Sequence, residues 1–127
     1  MSRKTPLGQV LGLGTGGGSH HWWLQRVSSI ALAPLSAWFA LSLLLRPDRG
    51  WHAMSAWLGA PMNAVLMLLL VAVGCFHSWL GVQVVIEDYV IGKLAKTLSL
   101  LGSQLAHLLL AMTALFAVLK VALGSVA

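Results

Sequence analysis

The chain has 127 residues, 58% of them hydrophobic and only 9% charged. Water-soluble domains carry about 25% charged residues, so the composition excludes a soluble globular fold and makes lipid the solvent. The formal charge of +5 does not form a nucleic-acid stripe: Arg3, Lys4, Arg26, Arg46, Arg49, Lys93, Lys96 and Lys120 lie mostly beside long apolar runs, where anchoring and topology residues sit.

Residues 1–19 are polar and glycine-rich and end in GLGTGGGS, which predicts a flexible tail or a segment ordered only by a partner. The basic pair Arg3 and Lys4 is followed by glycines rather than by an apolar run, so no signal peptide is expected. Gly12 to Gly17 fits G-x-G-x-x-G, but no strand precedes it and no acidic residue follows at the right distance, which argues against a dinucleotide site. HHWWLQR, His20 to Arg26, reads as an interfacial segment with two indoles at headgroup depth and an arginine able to snorkel.

The first span is expected over about 27–45, through Pro34, and stops at Arg46-Pro47-Asp48-Arg49-Gly50. WHAMSAWLGA, residues 51–60, reads as a short amphipathic or interfacial piece. Pro61 suits the first turn of a second span over about 61–89, and a third covers about 98–123. Each apolar run is near the 20 or so residues that cross a bilayer core of about 30 Å. The fold class is therefore all-α, a membrane protein of three transmembrane helices. Arg3, Lys4, Arg26, Lys93 and Lys96 would share one side of the membrane against Arg46, Arg49 and Lys120 on the other, which favours a cytoplasmic N-terminus.

Polar and ionisable groups at membrane depth are costly unless paired or used. On the second span His77, Gly81, Val84 and Asp88 share one face, with Gly74 at its edge. Asp88 lies about 16 Å along the axis from His77, which puts the imidazole inside the membrane and the carboxylate near the interface. A neutral imidazole is a good axial ligand for haem iron, and the two glycines would admit a flat macrocycle. The competing reading is that His77 hydrogen-bonds a neighbouring helix and the glycines allow close packing. Asp88 and Tyr89 also read simply as an interfacial acid and an aromatic-belt residue. Arg26, on the same side, would pair with Asp88 or with an anionic cofactor group. His107 reads as a packing or hydrogen-bonding residue, and His52 as solvated. Trp38, Trp51, Trp57 and Trp79 read as belt or packing residues. The single cysteine, Cys75, forms no internal disulfide.

HSWLGVQVVIEDYV, His77 to Val90, resembles the second-helix signature of the cytochrome b-type hydrophobic membrane anchor of succinate dehydrogenase, respiratory complex II. That signature is a His, a Gly four residues on, and an Asp-Tyr pair eleven and twelve residues after the His. HHWWLQRVSSIAL, His20 to Leu32, resembles the same family's first helix. The two motifs stand in the family's order on a chain of the family's length.

The resemblance implies that His77 is an axial ligand of haem b, shared with a companion membrane anchor that supplies the other ligand. It implies that Tyr89 hydrogen-bonds a quinone carbonyl, with Asp88 beside it in the quinone site, and that Arg26 and His20 lie near the haem propionates. His21, adjacent to His20, is the alternative for that role, and Ser28 is given none. A phenol is a neutral donor to a quinone oxygen, a carboxylate can relay protons, and a guanidinium suits propionates.

The implied assembly adds an iron–sulfur protein and a flavoprotein on the cytoplasmic or matrix face of a bacterial or mitochondrial inner membrane, with ubiquinone as substrate. Succinate oxidation would then feed the electron transport chain, and this chain alone would catalyse nothing. A fumarate reductase anchor and a cofactor-free structural anchor are the alternatives. A small transporter would need more charge within its spans.

Overall fold

The computed structural model describes residues 17–124, with side chains from His20 onward. Residues 1–16, with Arg3, Lys4 and most of the glycine-rich segment expected to be a tail, lie outside the described residues. Among the described residues there are four helices and no strand: α1 (Gly17–Leu44), α2 (Trp51–Gly59), α3 (Pro61–Tyr89) and α4 (Lys93–Gly124). The helices α1, α3 and α4 contain the stretches long and apolar enough to cross a membrane.

The first helix starts at Gly17, well before Val27. HHWWLQR contains no helix breaker, and the helix brings Trp22 and Arg26 together one turn apart. There the guanidinium carbon stands 5.0 Å from the centre of the indole ring, a cation–π contact. The helix continues through Pro34 to Leu44. It ends where Pro47 denies further turns, with Arg49 Nε donating to the Leu43 carbonyl (3.0 Å) and Gly50 N–H donating to Asp48 Oδ1 (2.8 Å).

At this end of the molecule α2 is clasped by aromatic contacts. Trp57, 7% exposed, stacks on Trp38 of α1 with ring centroids 5.6 Å apart, and Arg46 lies over the same indole at 5.2 Å. Asn63 Nδ2 donates to the Trp57 carbonyl (2.8 Å), tying α2 to the first turn of α3. Pro61 occupies the first turn of α3, where its missing N–H has no intrahelical partner to lose.

At the opposite end the connection between α3 and α4 is only residues 90–92, with Gly92 at φ +96°, a backbone conformation natural to glycine. The fourth helix therefore starts at Lys93 rather than near Leu98. Lys96 Nζ donates to the Glu87 carbonyl (2.8 Å), placing a cation on the C-terminal end of α3.

The long helices lie side by side in the order α1, α3, α4. The central α3 packs against both neighbours, α2 leans on α3 and α4, and α1 and α4 do not pack on each other. Such an open row buries little. Among the described residues only Ser28, Trp57, Leu80 and Ala122 are buried, so most apolar side chains face outward to lipid or to other helices.

Candidate functional site

The α1–α3 seam carries an antiparallel register written by three contacts. Ser28 Oγ meets His77 Nδ1 at 2.7 Å. A Cβ on Gly81 would meet Gln25 Nε2 at 3.6 Å, and one on Gly74 would meet Leu32 at 3.9 Å. His21, Gln25, Ser28 and Leu32 recur at three- and four-residue spacing, so they share the helical face that meets α3. His77 and the two glycines do face a neighbour, but that neighbour is α1 of the same chain. The room expected between Gly74 and Gly81 is taken up by the ends of the Gln25 and Leu32 side chains.

The hydrogen bonds at Ser28 bear on the tautomer of His77. A serine hydroxyl has one proton to give, and the Gln25 carbonyl, 3.0 Å away, can only accept it. With the proton there, Ser28 Oγ accepts from His77 Nδ1–H in its 2.7 Å contact with the ring. Nε2 then turns its lone pair to the Gln25 amide nitrogen, a long contact at 3.5 Å. Ser28 is 5% exposed, the one buried polar residue among those described. Two further polar atoms on this face of α1, His21 Nε2 and Gln25 Oε1, are buried without a hydrogen-bond partner among the described residues. Buried polar atoms left unpaired are costly in any low-dielectric setting, so the seam has polar capacity that its own residues do not use.

His107 contrasts with His77. Its Nδ1 donates to the Ser103 carbonyl (2.8 Å), and Ser78 Oγ meets Nε2 at 3.1 Å. Both ring nitrogens are engaged, and the residue joins α4 to α3, in line with the packing role expected of it. A cleft of about 300 Å³ lies beside it, lined by residues including Cys75, Trp79 and Gln104.

The remaining candidates stand apart from this seam. Tyr89 ends α3, 80% exposed, twelve residues and about 18 Å along the axis from His77. Asp88 is exposed beside it, while its neighbour Glu87 accepts from Gln83 Nε2 at 3.0 Å. Arg26 is exposed on the side of α1 away from α3, stacked on Trp22. The α1–α3 register puts it level with residues 79–80, about 13 Å deeper than Asp88, too far for the pairing between the two that the sequence allowed. His20 is exposed, whereas His21 turns toward the seam. Sequence reasoning gave Ser28 no role and left out Gln25. Their signal was the i, i+3, i+4 spacing with His21 and Leu32.

Among the described residues no three His, Cys, Asp or Glu side chains gather to cage a metal ion. A haem iron would ask less of this chain, one imidazole nitrogen with a lone pair, and His77 Nε2, met at 3.5 Å by the Gln25 amide, is the candidate for it.

The family described as succinate dehydrogenase/fumarate reductase transmembrane subunit matches residues 1–119. The succinate dehydrogenase hydrophobic membrane anchor subunit of Rickettsia felis is 44% identical over 82 residues, covering 64% of this chain and 68% of its own. That of Rickettsia prowazekii is 39% identical over 82 residues, covering 64% and 66%. The chain thus spans about two thirds of the length of these rickettsial relatives. The protein of the same description from Paracoccus denitrificans is 28% identical over 127 residues, covering 99% of this chain and 98% of its own. No solved structure matches.

Proposed function

The chain belongs to the succinate dehydrogenase/fumarate reductase transmembrane subunit family as a membrane anchor, and from that premise we propose that it co-ligates a haem b and shares in a quinone-reducing site. The observation that carries the reading is the Ser28 contact on His77 Nδ1, which leaves Nε2 met only by the long 3.5 Å contact of the Gln25 amide. A companion anchor would supply the second protein ligand. When bound, the haem supplies a one-electron carrier within the bilayer.

His21 and Gln25, with unpaired buried atoms on the same face, are placed to receive polar groups at the haem edge. His21 suits this better than His20, because its ring turns into the seam. Arg26, level with this region, offers a guanidinium to a carboxylate arriving from the outer side of α1.

Quinone reduction takes up two electrons and two protons, and succinate oxidation in the soluble subunits releases the electrons. Tyr89 donates its phenolic hydrogen bond to the quinone oxygen on which negative charge develops. Asp88, at the interface and in reach of water, passes protons toward that oxygen. The exposure of both side chains leaves them free for the companion anchor and the iron–sulfur protein to enclose. The N-terminus and the α3–α4 turn face the cytoplasm or matrix, and the soluble partners dock there. Direction from succinate to quinone is favoured over fumarate reduction by the relatives, which are described as succinate dehydrogenase subunits.

A cofactor-free anchor is the second reading, and the filling of the glycine faces by Leu32 and Gln25 favours it. A reduced-minus-oxidised optical spectrum of the purified complex separates the two. Co-ligation requires b-type absorbance; a complex with none carries only the structural role.

A further inference from the structure

We infer that Ser28 is the positioning residue that holds His77 in its ligating tautomer and sets how strongly the ring donates to iron; this rests on the haem reading above. Three observations converge on it. The hydroxyl is buried at 5% exposure. Its proton has an acceptor in the Gln25 carbonyl at 3.0 Å. Its contact with Nδ1 is short, at 2.7 Å.

The carbonyl gives the contact a direction. A serine without it would serve either tautomer, donating to a bare Nδ1 or accepting from Nδ1–H. With the Gln25 carbonyl there to take its proton, Ser28 is set to accept. The imidazole is held with hydrogen on Nδ1 and the lone pair on Nε2, and its ring plane is fixed by a helix other than its own. An acceptor on Nδ1–H raises the basicity of the opposite nitrogen. A more basic ligand favours ferric over ferrous iron, so the Ser28 contact lowers the potential of the group His77 binds. No proton has to leave Nδ1 for this, since polarisation of the N–H bond is enough. The residue touches neither iron nor quinone and acts only through His77.

The test uses the assembled complex with Ser28→Thr, Ser28→Val and Ser28→Ala, each followed by redox titration of the b-type absorbance. Threonine and valine fill nearly the same space and differ in the hydroxyl, which separates polarity from packing. Ser28→Thr is expected to titrate as wild type. Ser28→Val and Ser28→Ala are expected to raise the ferrous-to-ferric ratio about tenfold at the wild-type midpoint, equivalent to about 59 mV for a one-electron couple, or to lose haem where Thr keeps it.

A Val variant that titrates as wild type overturns the inference. So does a defect common to Thr and Val, which would mark Ser28 as packing alone. His77→Ala in the same series keeps the two claims apart: unchanged haem there removes the ligand assignment, whatever Ser28 does.

Discussion

Ser78 Oγ and His107 Nε2 meet at 3.1 Å across α3 and α4, one residue along from His77, which turns instead to α1. The two intramembrane histidines are thus sorted by their partners. Among the described residues both His107 nitrogens have close partners, whereas His77 has a close partner on Nδ1 and only the long 3.5 Å contact of the Gln25 amide on Nε2. His107→Leu is expected to lose the helix–helix hydrogen bond at a cost of about 1 kcal/mol, as such bonds are worth in membranes. Haem content and quinone turnover of the complex should stay at wild-type values. A large loss of haem in that variant would give His107 a role it does not have in this account.

Tyr89 stands at the end of α3, 80% exposed, with no hydrogen bond to its hydroxyl among the described residues. Tyr89→Phe removes that hydroxyl and little else. Succinate-driven quinone reduction should fall about a hundredfold, the scale of losing one donor to a developing oxyanion, while haem absorbance and assembly persist. Reduction of an artificial soluble acceptor by the same preparation, unaffected by the change, would localise the defect to the quinone end. Full quinone turnover would take Tyr89 out of the site.

Gly81 and Gly74 set how closely α1 approaches. A Cβ at Gly81 would meet Gln25 Nε2 at 3.6 Å and one at Gly74 would meet Leu32 at 3.9 Å, both ordinary contact distances. Gly81→Ala is therefore expected to leave haem content and thermal stability of the complex nearly unchanged. Gly81→Leu should displace Gln25 and part α1 from α3, destabilising by about 1–3 kcal/mol as overpacking does, read as a lower unfolding temperature. Equal tolerance of Ala and Leu would show that the seam opens in the assembled complex.

Because Cys75 is the only cysteine, topology is open to labelling. In a Cys75→Ser background, Thr97→Cys should react with a membrane-impermeant maleimide from the cytoplasmic side, and Arg49→Cys from the opposite side. The reverse pattern would invert the orientation proposed from the basic residues.

The membrane class was legible in composition, and the helical stripe of His77 was legible because spacing on one helix is a local property. Which neighbour that stripe meets was not, since it depends on the register between segments some fifty residues apart. The early start of α1 escaped a reading that took tryptophans and an arginine as interface markers, because those residues are compatible with helix and stack on one another along it. Ser28 was visible only as a small hydroxyl residue. Its role comes from where α3 places an imidazole. Tyr89 and Asp88 stayed where sequence had them, at a helix end, and the surfaces that would enclose them belong to other chains.

The most direct test of co-ligation compares haem b per flavin, by optical spectrum, in purified complexes of wild type and of His77→Ala. The account predicts a b-type signal in wild type that is lost, or shifted with weakened retention, in the variant. An identical signal in both would contradict it and leave His77 as a hydrogen-bonded rung between α1 and α3.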